Sequence, residues 1–189
     1  MDASHRFREA LIMQVDWVQV MLLQRHRPYT KWRRRQALFF AAIHSCFLLV
    51  LFGHFTHDVV TWVLSFLLQT GALCVSLFHA AFVNDYGDRM NNAMELEHQV
   101  NPLIIAELMI RCFAMLHFFL MGSWLMFLFG VLELIYDYHI FRKGDFLVDA
   151  TTAWKKLDAL KLDSRLRLGY QSIMEVGSIL HFIYSLFTS

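Results

Sequence analysis

From Pro102 to Ile140 the chain stays largely apolar for 39 residues. As one helix at 1.5 Å per residue this is about 58 Å, nearly twice the ~30 Å hydrocarbon of a bilayer. Such a stretch has two ways to sit in a membrane. Either one span, Cys112 to Leu132, crosses once between Arg111 and Glu133, or two short spans form a hairpin that turns near Gly122 and Ser123. The choice decides which side everything downstream occupies.

A membrane is the expected solvent. Of the 189 residues, 57% are apolar and only 2 are proline, a share above that of ordinary soluble domains. Ala37–Phe55 and Val59–Val83 contain no Asp, Glu, Lys or Arg, and Gly169–Phe187 is broken only by Glu175. The 17 basic and 16 acidic side chains nearly cancel, so bulk charge gives no support for nucleic-acid binding. Residues 1–36 are mostly polar or amphipathic and do not read as a cleavable signal peptide.

Charge placement favours the hairpin. Eight Lys and Arg lie in residues 1–36, and seven lie in 141–168 (Arg142, Lys143, Lys155, Lys156, Lys161, Arg165, Arg167). Residues 56–58, 122–123 and 188–189 have none. Cytosolic flanks collect basic residues, so a single crossing between the two basic regions would put one on the wrong side. The sequence therefore predicts an all-α membrane protein of five spans, with a cytosolic amino end and a luminal carboxyl end. Cytosolic loops are expected over about 84–101 and 141–168, the first of them acidic.

No chemistry is evident. Cys46, Cys74 and Cys112 lie in apolar runs without a CxxC or a zinc-type cluster, as expected of small packing residues. Ten histidines raise the question of haem, which needs two facing imidazoles at matched depth; His44, His54, His79, His117, His139 and His181 are scattered, and interfacial or packing roles are expected. No HExxH, GxSxG, P-loop or GxGxxG occurs. No cofactor, metal or catalytic group is expected.

Several polar features stand out. Asp149 is placed to cap a helix in which Ala150, Ala153, Trp154, Leu157 and Leu160 form one apolar face at the headgroup level, with Lys155, Lys156, Asp158 and Lys161 off it. Glu107 and Arg111 stand four apart, acid before base, and are expected to snorkel to the interface as a pair. Glu133 and Glu175 are harder to explain as interfacial groups; Glu175, seven residues into the last span, should face protein, most simply a neighbouring helix of the same chain. Residues 5–24 place Leu11, Met13, Val15, Val18, Met21 and Leu22 at helical spacing, as in a surface helix ahead of the basic RHRPYTKWRRR cluster.

Several stretches resemble the cornichon family of small endoplasmic-reticulum membrane proteins. NDYGDRMNNAMELEHQVNPLIIAE is similar to the family's first cytosolic loop, with Asp85, Asn92, Glu95, Asn101 and Glu107 on its polar positions and Ala93 and Ala106 where prolines are usual. LIYDYHIF resembles the family's Leu-Ala-Tyr element, and FLVDATTAWKKL with SRLRLGYQSIM resembles its second loop and entry to the last span. The likeness runs from about Trp62 to Ser189. It implies a four-helix membrane domain at 59–189, preceded by a cytosolic basic segment (1–36) and an extra span with a short luminal turn (37–58). It further implies a cargo receptor that links transmembrane client proteins to the COPII coat for export from the endoplasmic reticulum. Ala153, Trp154, Lys155, Lys156 and Leu157 then occupy the coat-binding position, and the five polar-loop residues a client-contact position. Membrane lipids, clients and coat are the implied partners. The alternatives are an auxiliary subunit that stays bound to a channel or transporter, and a structural or redox subunit of a membrane complex.

Overall fold

The computed structural model describes residues 3–22, 31–53 and 58–188. Six α-helices follow one another: α1 Ala3–Leu22, α2 Lys31–Gly53, α3 Asp58–Gly87, α4 Ala93–Leu120, α5 Trp124–Arg142 and α6 Leu157–Thr188, with a 3-10 turn at Ala153–Lys155 before α6. No strand occurs among the described residues. His54 and residues 56–57 of the expected luminal turn lie outside the described residues, as do residues 25–30 of the basic cluster and Ser189.

The hairpin forms. α4 stops at Leu120, and Gly122 takes φ 71°. The Ser123 amide donates to the Phe118 carbonyl at 3.0 Å and the Met121 amide to the His117 carbonyl at 3.0 Å. This is a glycine-terminated helix end, and Trp124 opens α5 immediately after it. α5 ends in the same way: Gly144 has φ 75° and the Asp145 amide reaches back to Ile140 at 3.3 Å. Asn92 starts α4 by accepting from the Glu95 amide at 2.8 Å, a cap that satisfies one of the first orphan donors.

Three helices are long and apolar enough to cross a membrane among the described residues: 60–87, 93–120 and 124–142. The two arms of the hairpin are thus separate candidate spans. α6 carries Gln171, Ser172, Glu175, Ser178 and His181 along its length.

α3 is the centre of the bundle, packed along α6 and α4 and also touched by α2. In hydrocarbon, helices gain nothing from hiding apolar surface from lipid, so close packing and interhelical polar contacts must hold them. The α3–α6 seam shows both. Ser178 is fully buried, Trp62 stacks on His181 with ring centroids 5.1 Å apart, and the Thr70 hydroxyl donates to Glu175 Oε1 at 2.8 Å. Glu175 therefore meets a neighbouring helix of its own chain. Apolar clusters fill the remaining volume, including Phe40, Ala72, Val75, Leu103 and Ile110 between α2, α3 and α4.

α1 folds back onto one end of the bundle, against α2 and α4. Leu11, Val15 and Val18 are exposed, as a surface helix requires, but the opposite side is buried in its own protein: Arg6, Ala10 and Gln14 follow at four-residue spacing. Gln14 Nε2 donates to the Pro102 carbonyl at 2.7 Å. Arg33 closes the pairing of α1 with α2, donating to Asp16 at 2.8 Å. Of the predicted apolar positions Leu11, Val15 and Val18 mark the free face of α1 and Met13 is half-buried; the side chains of Met21 and Leu22 lie outside those described.

Candidate functional site

The end of the bundle that carries α1 gathers both expected cytosolic loops. Phe146 and Val148 drop from the second loop into an apolar cluster with Ala10, Val83, Leu96 and Val100. Asn101 clamps this loop to α4: its Nδ2 donates to the Val148 carbonyl at 3.0 Å, and its Oδ1 accepts from the Val148 amide at 2.8 Å. Glu97 accepts from the Ala150 amide at 2.8 Å. The loop is therefore a fixed platform.

Asp149 shapes the chain between this clamp and α6. Its Oδ1 accepts from the Thr151 amide at 2.9 Å and the Thr151 hydroxyl at 2.7 Å, and its other oxygen pairs with Arg6 of α1. The Thr151 hydroxyl first, together with Arg6, holds this carboxyl down at about 2. The expected helix directly after Asp149 does not form. Asp149 caps a local turn, the side-chain-to-backbone alternative to helix, then comes the 3-10 turn, and α6 begins only at Leu157. The expected apolar face is split as a result. Ala153 is buried in the core cluster, whereas Trp154 is 66% exposed. Lys155 lies 5.1 Å from the centroid of the Trp154 ring, in cation–π contact. Lys156 is held by Asp145, and Leu157 is half-buried. Of the five residues, Ala153 anchors the loop and Trp154 with Lys155 face outward.

The five polar-loop residues do not form one surface. Asp85 and Glu95 are exposed, Asn92 is a helix cap, Asn101 is the clamp on Val148, and Glu107 is fully buried. A groove of about 1010 Å³ runs beside this end, between α1, the start of α4 and the Asp149 turn; Glu9, Glu95 and Glu97 line it.

Glu107 belongs to a second site, deep between α3, α4, α5 and α6. It does not snorkel to an interface with Arg111; both are buried. Arg111 contacts Glu107, Glu133 Oε1 at 2.7 Å and Asp137 at 2.8 Å. Arg167 of α6 meets Asp137 at 2.9 Å, Asp163 at 2.8 Å and Glu107 at 3.7 Å. Gln171 donates to Glu133 Oε1 at 3.0 Å, and Ser76 of α3 donates to Glu107. His79 places Nδ1 3.9 Å from Glu107, and neither ring nitrogen has a hydrogen-bond partner among the described residues. Charges in hydrocarbon must pair, and here each arginine serves several carboxylates. Sequence reasoning misses Asp137, Asp163, Arg167 and Gln171. Their signal is four-residue spacing: Glu133 with Asp137, and Asp163 with Arg167 and Gln171, put polar stripes on one face of α5 and α6.

The described histidines have packing partners more often than open coordination positions. His44 Nδ1 lies 2.7 Å from the Phe40 carbonyl, and His117 Nε2 lies 3.2 Å from the Thr61 carbonyl. Among the described residues no group of three or more His, Cys, Asp or Glu is arranged to hold a metal ion. The three cysteines are free.

Comparison with known proteins agrees with the architecture. The family model described as "Cornichon protein" matches residues 59–186. Protein cornichon homolog 3 of Arabidopsis thaliana is 25% identical over 128 residues, which is 68% of this chain and 93% of the plant protein. Protein cornichon homolog 4 of the same plant is 23% identical over the same 68% and 93% shares. The ER-derived vesicles protein ERV15 of Saccharomyces cerevisiae is 34% identical over 79 residues, 42% of this chain and 56% of the yeast protein. No solved structure matches the chain. With a family match over residues 59–186, which contain α3 to α6 except for Asp58 and residues 187–188, this chain belongs to the cornichon family.

Proposed function

We propose that the chain is a transmembrane cargo receptor of the early secretory pathway, which links membrane-protein clients to the COPII coat for transport from the endoplasmic reticulum to the Golgi. In this role it has five spans: α2 as an extra amino-terminal one, and α3 to α6 as the family domain. The end carrying α1 and both loops is cytosolic and the carboxyl terminus luminal. Family membership supports the role, and so does the name of the yeast relative, an ER-derived vesicles protein.

One observation carries the proposal: the second loop lies at the same end of the bundle as α1, joined to it by Arg6 and Asp149. There the loop is rigid, and Trp154 stands out from it at 66% exposure. An exposed tryptophan on a hydrogen-bonded loop is the kind of side chain that anchors binding hot spots. Clients dock on the spans by close packing and polar contacts, and two weak sites on one bridging protein gain strength from the repeating coat. No bond-making step is assigned.

The test is Trp154→Ala combined with Leu157→Ala in a vesicle-budding assay. The double variant is expected to leave the chain folded and to lower its packaging, and that of a bound client, about tenfold. Packaging at the normal rate would remove the coat from this loop.

A further inference from the structure

The seam between α5 and α6 is the open one in the bundle. α4 packs along α5 and α3 along α6, while the backbones of α5 and α6 stay farther apart and meet mainly through side chains. In the interior Arg167 pairs with Asp137 and Gln171 with Glu133, and two tyrosines add outer bridges. Near one end the Tyr170 hydroxyl donates to the Phe129 carbonyl, and near the other the Tyr136 hydroxyl donates to Asp163 at 2.8 Å. Between these bridges lies a cleft of about 270 Å³, lined by Leu132, Glu133, Tyr136, Leu166, Arg167 and Tyr170.

Its rims and its floor differ in kind. Leu132 and Leu166 are 60% and 51% exposed, as lipid-facing leucines would be, while Glu133 and Arg167 are 6% and 3% exposed. A charged floor under an apolar mouth is not what acyl chains need. The charge count is also uneven. Three buried carboxylates (Glu107, Glu133, Asp137) face two buried guanidiniums (Arg111, Arg167). His79, the remaining base, approaches Glu107 from α3. On the cleft side the excess acid is Glu133, whose two partners, Arg111 and Gln171, both engage Oε1.

We propose that this cleft receives one lysine or arginine side chain from a partner's transmembrane helix, which lies across Leu132 and Leu166 and pairs its cation with Glu133. The proposal rests on the client-binding reading above and names its site and partner chemistry. Depth agrees. Glu133 is the tenth residue of the 19-residue α5, a helix about 28 Å long, so it sits near the bilayer midplane. Size agrees as well. A volume of 270 Å³ is that of roughly nine waters, room for one long side chain and too little for a helix. A cationic lipid headgroup would be held some 15 Å away at the interface.

The full chain in phosphatidylcholine liposomes is tested by fluorescence transfer against a synthetic Leu/Ala transmembrane helix with one central lysine, and against the same helix with leucine in its place. The lysine helix is expected to associate about tenfold more tightly. Glu133→Gln should cut that preference below about twofold. Leu132→Trp with Leu166→Trp, which blocks the mouth and leaves the charges untouched, should do the same and decides the matter if Glu133→Gln fails to fold. Equal association of the two helices with the native chain overturns the proposal, and so does a preference that survives the blocked mouth. Packaging into vesicles is measured separately. Its loss with the lysine preference intact counts against the receptor role and not against the cleft.

Discussion

Arg6 in α1 and Asp149 in the second loop form an ion pair with side-chain exposures of 9% and 26%, joining the amino-terminal extension to the family domain. The family match begins at residue 59, so this contact is a feature of the longer chain. It places α1 beside the loop that presents Trp154.

Removing the pair should release α1 without unfolding the bundle. Arg6→Ala leaves Asp149 its Thr151 bonds and deletes one charge-assisted contact of about 1.5–3 kcal/mol. Hydrogen exchange in α1 is expected to rise about tenfold or more, with α3 to α6 unchanged. Uniform loss of protection across all helices would show that α1 is part of the core.

The same pair predicts a pH response. Asp149 is held at about 2, below its ordinary 3.8, by Thr151 and Arg6. A carboxyl lowered on folding contributes stability that is fully present above its unfolded value and is lost as pH falls through the folded one. Protection of α1 should be flat from pH 7 to about 4 and decline only at lower pH, toward about 2, because the Thr151 bonds persist when α1 detaches. A midpoint near 6 would assign the contact to another group.

Within the bundle, Glu107 and Glu175 should behave differently. Glu107→Gln strips a carboxylate shared by Arg111, Arg167 and Ser76, and leaving buried charge underpaired costs about 3–5 kcal/mol. Glu175→Gln keeps an acceptor for Thr70 and should cost under about 1 kcal/mol. Unfolding in mild detergent, followed by tryptophan fluorescence, separates the two. Equal effects would contradict a central role for the network.

The hairpin turn gives a backbone test. A Cβ on Gly122 would meet nothing within 4 Å, yet φ is 71°, so Gly122→Ala bears only the left-handed conformation, about 1–2 kcal/mol. Gly71→Ala, equally open and helical, should instead be neutral or slightly stabilising.

Features set by local chemistry were legible in the residues themselves. The break between α4 and α5 was visible because 39 apolar residues are too many for one span. Gly122 and Gly144 then close helices as glycines do. The packed face of α1 was hidden because, besides Trp17 and Val20, it includes Arg6, Ala10 and Gln14, polar or small residues; Arg6 and Gln14 find partners in the second loop and α4. The ionic network was hidden for a related reason. Glu107 and Arg111 looked like a self-contained pair until α5 and α6 brought Glu133, Asp137 and Arg167 to them. At Asp149 the capping chemistry was legible, but Thr151 and the packing of Ala153 drew it into a turn, leaving Trp154 outside the expected face.

The sidedness of the second loop underlies the whole functional account. Single cysteines placed at Trp154 and at Gly122, in a background where Cys46, Cys74 and Cys112 are serine, can be labelled with a membrane-impermeant maleimide in sealed, right-side-out microsomes. Residue 154 should react fully before detergent is added and residue 122 only afterwards. Protection at 154 with labelling at 122 would put Trp154 in the lumen, beyond any coat.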